Sequence, residues 1–527
     1  MLGYDAPEAD DGLLRSRPHG VRALIASRPK ALALASASLL ILAPLFLLSH
    51  GPAATSLSSV QPDTLSKLHG VSLGGWLVME INPSVRGPTS ALDMRPKWMF
   101  DQIEAESELD FVTKLRKEKG DAYAITTMRN HWEGYISDAA LDAAQALGVD
   151  AVRIPVGYWI MDAPVHGGGS PLEYGISPEG FVTGGLNALY GMLTKLHARG
   201  IVALIDVHAM PCNSGCVSDG LSCDKPYAFF APGAAPISDL PRCGGGTYST
   251  TRAPRAGEVT WGDVGLNAVA ALAQWIADLP PEAGSVYAYQ LANEPALGPP
   301  GIYEEHVNAW YERALPAARL HLPTLPIVLS FIPPTSLVTD FLSKIAASPA
   351  SLNGGAPLLA DHHYYLNWQE GIDVVMGWDE IHSRACSAAY EASGLLVYTA
   401  ARQPIIVGEW SLAVNHDAPL DLTDPETASQ LSRLYAEQLE VFGSVPEVRA
   451  AFFWTLRMGS GWDPRPTETH PHGHQVAGTS AWVSLPGYPF LVWSLLELGH
   501  AGIATPLNQQ AGSTCAGVPP WVPKAPP

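Results

Sequence analysis

The chain has 527 residues, 47% of them hydrophobic, and a formal net charge of −20. That is enough apolar material for one large α/β unit or for two or three domains of average size. So acidic a chain is a poor partner for nucleic acid or an anionic surface, whereas neutral substrates such as sugars stay open.

Residues 1–30 are polar and read as a disordered cytoplasmic tail. Ala31 to Ser49 is a run of 19 uncharged residues rich in Leu and Ala, close to the ~20 that cross a bilayer as a helix. Arg15, Arg17, Arg22, Arg28 and Lys30 precede it, and Gly51 to Ser66 holds no Lys or Arg. This asymmetry predicts a single-pass signal-anchor over 31–49, with the N-terminus cytoplasmic and the body extracellular or lumenal. A cleaved signal peptide is the rival reading, but the tail ahead of the run is long for one. Residues 50–66, rich in Ser, Pro and Ala, read as a linker.

From there apolar runs of strand length recur: Gly70–Val78, Asp150–Val156, Ile201–Val207, Val286–Ala292, Pro326–Ile332, Pro357–Asp361, Pro404–Gly408 and Arg449–Thr455. Helical periodicity fills the gaps at Asp138–Leu147, Leu186–Arg199, Leu266–Leu279, Tyr303–Ala318 and Glu426–Phe442. Eight strands alternating with helices predict an α/β fold, a closed (β/α)8 TIM barrel over residues 67–505, preceded by the transmembrane helix. A doubly wound open sheet is the alternative; no Gly-x-Gly-x-x-Gly turn follows the first strand, so no dinucleotide cofactor is expected. The end, 506–527, is a Pro-rich tail.

Four of the six Cys (Cys212, Cys216, Cys223 and Cys243, beside Cys386 and Cys515) fall in the long segment Ala209–Trp261. In an exported chain they read as disulfides bracing a loop, of undetermined pairing. Their spacing fits no common zinc module. No Asn-x-Ser/Thr acceptor is present.

Barrels of this class carry their chemistry at the carboxyl ends of the strands. Read in order, those ends offer Glu80, Arg153, Asp206-Val207-His208, Asn293-Glu294, Asp361-His362-His363-Tyr364-Tyr365, Glu409 and Trp454. The fifth strand, ending Ser330-Phe331-Ile332, offers nothing sharp. Glu294 and Glu409 end two apolar runs far apart in sequence. Either alone could be a strand end in solvent. As a pair they suit glycosidic bond cleavage, in which one carboxyl gives a proton to the leaving oxygen and the other attacks carbon or activates water. Two carboxylates suffice, so no metal and no cofactor is expected. A Glu beside Arg should stay ionised, and a Glu beside another negative charge should hold its proton.

These residues closely resemble glycoside hydrolase family 5, and its exo-β-1,3-glucanase branch most. The resemblance rests on Gly70-Val71-Ser72-Leu73-Gly74-Gly75-Trp76-Leu77-Val78-Met79-Glu80, Arg153-Ile154-Pro155-Val156-Gly157-Tyr158-Trp159, Asn293-Glu294-Pro295, His362-His363-Tyr364 and Val407-Gly408-Glu409-Trp410-Ser411. It implies a retaining mechanism with Glu294 as acid/base and Glu409 as nucleophile. Arg153 would hold Glu409, and Asn293 would bond the sugar 2-hydroxyl. His208, His362 and Tyr364 would line the reacting subsite, with Tyr364 touching the nucleophile. Trp454 would form a platform, and Glu80 would bind hydroxyls at the closed end. One departure stands out: the family's Phe-bearing loop after the third strand is replaced by Pro211-Cys212-Asn213-Ser214-Gly215-Cys216-Val217-Ser218-Asp219-Gly220 and some thirty further residues.

The expectation is therefore a membrane-anchored, monomeric exo-β-1,3-glucanase acting on wall or storage β-glucan. A relative acting on β-1,6-glucan, β-1,4-glucan or a glucosyl lipid is the enzymatic alternative. A glucan-binding surface protein is the non-enzymatic one.

Overall fold

In a computed structural model the structure describes residues 67–79, 96–100, 103, 105, 107–161, 170–211, 255–295, 304–331, 336–347, 356–366, 375–387, 398, 402–414, 416, 424–458, 462–463, 474–475, 490–506 and 514–518. Residues 31–49, Glu80 and Cys212, Cys216, Cys223 and Cys243 lie outside these. No helix of the described residues is long and apolar enough to cross a membrane.

The apolar runs form β1 (Leu68–Ser72), β2 (Ala151–Gly157), β3 (Val202–Ala209), β4 (Val286–Gln290), β5 (Ile327–Ser330), β6 (Leu358–Tyr364), β7 (Ile405–Trp410) and β8 (Val448–Phe453). They close into one barrel in the order β1-β8-β7-β6-β5-β4-β3-β2. Every pairing is parallel, and the ring closes where Leu68 to Val71 lie beside Ala450 to Phe453.

Helices separate or follow the strands: α1 (Glu108–Lys119), α2 (Asp121–Gly134), α3 (Asp138–Ala146), α4 (Gly185–Arg199), α5 (Trp261–Ala277), α6 (Glu304–Arg319), α7 (Ser336–Ala347), α8 (Trp378–Ser387), α9 (Pro425–Ser444) and α10 (Leu495–His500). Their starts carry local signals. Ser107 and Ser137 accept backbone N–H bonds at the heads of α1 and α3, Thr260 and Asp263 form a capping box on α5, and Asp424 caps α9 ahead of Pro425. The expected helices α3, α4, α5, α6 and α9 are all present. The sequence reading passes over α1 and α2. α1 is mostly charged, and its buried apolar residues are Phe111, Val112 and Leu115 alone, too few for a clear 3.6-residue period.

The barrel interior is tiered. At the amino end Ala151, Leu204, Ala288, Val328, Leu359, Ile406, Ala450 and Phe452 form a separate apolar cluster. Gly70 makes room for it, because a Cβ there would lie 2.1 Å from the Phe452 ring. Two residues further along, alternation places Arg153, Asp206, Gln290, Ser330 and Asp361, each fully or almost fully buried. The carboxyl end of the barrel follows.

Among its described residues, the expected Pro-rich tail is fastened around Cys515. Cys515 is bonded to Cys386 of α8, and Glu440 of α9 accepts hydrogen bonds from Thr514 and from the Cys515 N–H.

Candidate active site

Arg153, from β2, is the centre of the polar tier. Its Nη1 donates to Glu409 Oε1 at 2.8 Å, its Nη2 to Asn293 Oδ1 at 2.5 Å, and its Nε to Gln290 Oε1 at 3.2 Å. Nη2 also lies 3.0 Å from Asp206 and 4.0 Å from Asp361. Burial opposes the guanidinium charge, but Asp206, Glu409 and Asp361 outweigh it and hold the pKa above its ordinary value.

Asn293 and Glu294 follow β4. Because Asn293 Oδ1 faces Arg153, its Nδ2 faces His208 Nε2 at 3.3 Å. That makes Nε2 the acceptor and leaves the His208 hydrogen on Nδ1, which donates to Asp206 Oδ2 at 2.7 Å. His208 stacks on Trp454, with centroids 5.4 Å apart and planes 7° apart. Gly74 admits that indole; a Cβ there would stand 3.0 Å from Trp454 Cζ2.

Glu409 reaches the same place through an irregularity. β7 holds one residue more than either neighbour between Val407 and Trp410: His362 and His363 pair with Val407 and Glu409, while Ala451 and Phe453 pair with Val407 and Trp410. Gly408 is the extra residue of this β-bulge, which re-aims the next side chain. Glu409 Oε2 accepts from the Tyr365 hydroxyl at 2.6 Å and lies 3.4 Å from His363 Nδ1. His363 Nδ1 is hydrogen-bonded to Glu294 Oε1. One oxygen of each glutamate and one His363 nitrogen come within 4.8 Å of one another. Such a trio is the kind that can hold a cation; here Arg153 and Tyr365 each donate to one Glu409 oxygen, and His363 is bonded to Glu294.

Burial works against the charge of each group here. For Glu294, the His363 imidazolium outweighs burial and holds the carboxyl below its usual range. Glu409 stands above its usual range: burial, reinforced by Glu294, exceeds the opposing effects of His363 and Arg153. His363 is held well above its ordinary value, because Glu409, Asp361 and Glu294 surround it and outweigh burial. The sequence reading expects Glu294 to hold its proton because it leaves the His363 imidazolium out.

Residues 116–440 match the family described as cellulase (glycosyl hydrolase family 5), more than half of the chain. The chain belongs to glycosyl hydrolase family 5. It is 25% identical over 356 residues to the probable glucan 1,3-beta-glucosidase A of Aspergillus clavatus, covering 66% of this chain and 65% of that one. It is 26% identical over 359 residues to the protein of the same name from Aspergillus niger, again covering 66% and 65%. The match thus spans just under two thirds of these relatives' length. Among solved structures, the rutinosidase of Aspergillus niger superposes with a TM-score of 0.51 at 18% identity, covering 75% of this chain and 90% of that one. At that identity it supports the barrel fold alone.

In this family 5 barrel the structure brings Arg153, His208, Asn293, Glu294, Glu409 and Trp454 together at the carboxyl end. Glu80 lies outside the described residues. His362 and Tyr364 are corrections, each by one position. Strand alternation from the inward Asp361 places His363 and Tyr365 inside the barrel and His362 and Tyr364 outside it. Tyr364 packs edge-on against Phe442 of α9, and its hydroxyl has no hydrogen-bond partner among the described residues. His362 lies toward Tyr398, and burial drops its pKa to about 3. Sequence reasoning also misses Gln290 and the part played by Asp361; the two-residue period running back from His363 through Asp361 was the available signal.

Proposed function

We propose that this protein is a retaining exo-β-1,3-glucanase, a glucan 1,3-β-glucosidase acting on cell-wall or storage β-glucan. The observation that carries the reading is the pair of glutamates with one oxygen of each within 4.8 Å of the other, the close approach expected of a retaining pair, whose carboxyls stand about 5–5.5 Å apart. Support for the 1,3-linkage comes from the names of the fungal relatives.

In this scheme Glu409 is the nucleophile: burial raises its pKa, and Arg153 and Tyr365, which donate to its two oxygens, oppose that and favour the carboxylate that attacks. One Glu409 oxygen bonds to the anomeric carbon as the bond to the leaving oxygen breaks. Glu294 supplies the proton to that oxygen. The proton is held in the hydrogen bond between Glu294 and His363. Its passage from Nδ1 to Oε1 turns imidazolium and carboxylate into imidazole and carboxylic acid without changing the charge of the site. In the second step Glu294 takes a proton from water, which attacks the anomeric carbon and releases Glu409. Asn293 would bond the sugar 2-hydroxyl, and Trp454, stacked on His208, would support the ring.

We further propose that residues 31–49 anchor the protein as a single span with its catalytic body outside the cytoplasm. The uncharged run and its basic flank support this.

The test is a hydrolysis screen of residues 60–527 on laminarin, pustulan, cellulose and glucosyl-lipid substrates, with the anomer of the first product read by NMR. Glucose released from laminarin with retained configuration is expected. An inverted product, or preferred release from pustulan, cellulose or the lipid, rejects the reading. Retention of the full-length protein in carbonate-washed membranes, with residues 1–30 intact, tests the anchor.

A further inference from the structure

Asp361 is fully buried in β6, and each of its oxygens faces donors. Oδ1 accepts the Gly408 N–H at 2.8 Å. Oδ2 accepts from Gln290 Nε2 at 2.7 Å and from His363 Nε2 at 3.0 Å, and stands 4.0 Å from Arg153 Nη2. Every neighbour is a donor, which favours the ionised carboxylate. His363, Arg153 and Gln290 outweigh burial and keep its pKa below the ordinary value.

An ionised Asp361 fixes one hydrogen of His363 on Nε2. A second hydrogen on that ring can then reside only on Nδ1, in the bond to Glu294. Among the described residues, the charged and titratable groups around His363 are Asp361 and His362 on its own strand, Tyr365 just after it, Glu294 after β4 and Glu409 on β7, with Arg153 of β2 and the Asp206–His208 pair of β3 beyond them.

We propose that Asp361 is a positioning residue that holds His363 in the Nε2–H tautomer, so that the ring can give its Nδ1 proton to Glu294 and take it back while staying bound to Asp361. The inference rests on the retaining chemistry proposed above. The step is a proton shift within one hydrogen bond: N–H breaks as O–H forms, and no other group changes charge.

Asp361→Asn reverses the geometry at one atom. The Gly408 N–H still needs an acceptor, so the new amide nitrogen must face Gln290 and His363. His363 must then present Nε2 as an acceptor and carry its hydrogen on Nδ1, donating to an ionised Glu294. The acid loses its proton and nothing nearby replaces it.

The experiment compares wild-type protein with Asp361→Asn on two β-glucosides, one with an alkyl and one with a dinitrophenyl leaving group. On the alkyl glucoside kcat should fall roughly 100-fold, the low end of what a general acid supplies. The alkaline limb of its pH profile should move to lower pH by about one unit or more, as expected when a neighbouring charge is removed. The first step on the dinitrophenyl glucoside, which needs no acid, should stay within about threefold. Equal losses on both substrates with an unmoved profile would mean a merely structural role and would overturn the proposal.

Nitrogen-15 NMR of histidine-labelled wild-type protein tests the tautomer directly, even if the variant does not fold. His363 Nε2, assigned by loss of its signal in His363→Gln, should remain protonated wherever the protein is folded, with only Nδ1 titrating. An unprotonated Nε2 overturns the inference whatever the activity shows. A wild-type protein that turns over neither glucoside rejects the functional reading and leaves the NMR result to decide on Asp361.

Discussion

Gly408 and Asp361 approach so closely that no side chain fits between them: a Cβ on residue 408 would lie 2.2 Å from Asp361 Oδ1. The same glycine donates its N–H to that oxygen and is the extra residue that turns Glu409 into the barrel. One position therefore sets both the aim of a carboxylate and the seat of its buried neighbour.

Gly408→Ala should accordingly cost more than its size suggests. Asp361 must move away from Gln290 and His363, or the bulge must flatten and swing Glu409 aside. Overpacking of this kind destabilises by about 1–3 kcal/mol, and turnover should fall further than stability does. Urea unfolding beside a kcat measurement checks this. A stable variant with wild-type kcat would show that the bulge does not aim Glu409.

Much of this arrangement can be read from the chain alone, and the exceptions have physical causes. The eight strands announce themselves because a parallel barrel buries both faces of each strand, giving near-continuous apolar runs such as Ile405-Ile406-Val407. Polar tips on those runs pick out Arg153, Asn293, Glu294 and Glu409. The stretch Asp361-His362-His363-Tyr364-Tyr365 is ambiguous because it offers two residues of each kind, and only the phase of the pleat chooses between them. That phase is set by Asp361, whose role depends on Arg153 and Gln290 from other strands. The acidity of Glu294 depends in turn on His363, so an error of one residue there changes the electrostatic reading of that carboxyl.

The two tyrosines give the sharpest check of that phase. Tyr365→Phe removes the 2.6 Å bond to Glu409, and a hydrogen bond to a charged group is worth about 1.5–3 kcal/mol. Turnover should drop roughly tenfold to a hundredfold. Tyr364→Phe removes a buried hydroxyl that has no hydrogen-bond partner among the described residues, so stability should hold or rise by up to ~1 kcal/mol, with turnover within about twofold. The opposite result would return Tyr364 to the site.

Glu108 makes the protein's stability depend on pH at a point away from the two glutamates. It is fully buried at the start of α1 and accepts the Met79 N–H at 3.1 Å. Burial raises its carboxyl from an ordinary 4.5 to about 8, against the hydrogen bonds from Met79 and Trp159. The folded state thus binds this proton more tightly than the unfolded chain does. Its contribution is complete below the ordinary value of 4.5 and is lost as pH rises towards about 8. Glu108→Gln, which needs no proton, should lose less stability than wild type across that window, the gap growing to a few kcal/mol at its upper end. Denaturation curves at mildly acid and mildly alkaline pH measure it; parallel losses in the two proteins would contradict the burial argument.

Replacing each glutamate in turn separates their roles. Glu409→Gln should abolish nearly all turnover, because an amide in place of the nucleophilic carboxylate forms no covalent sugar and still occupies the position between Arg153 and Tyr365. Glu294→Gln should be equally damaging on glucan, whose leaving oxygen needs a proton. On a dinitrophenyl glucoside, which departs unaided, its first step should survive. The covalent sugar on Glu409 should then accumulate, because no base remains to activate water. Azide needs no base and should release it as a glucosyl azide. Attack from the face that water would use returns the configuration of the substrate, so the azide product should be β. Mass spectrometry of the trapped protein and NMR of the azide read both outcomes. An α-azide, or a covalent sugar accumulating in Glu409→Gln, would show that the nucleophile and the acid have been assigned in reverse.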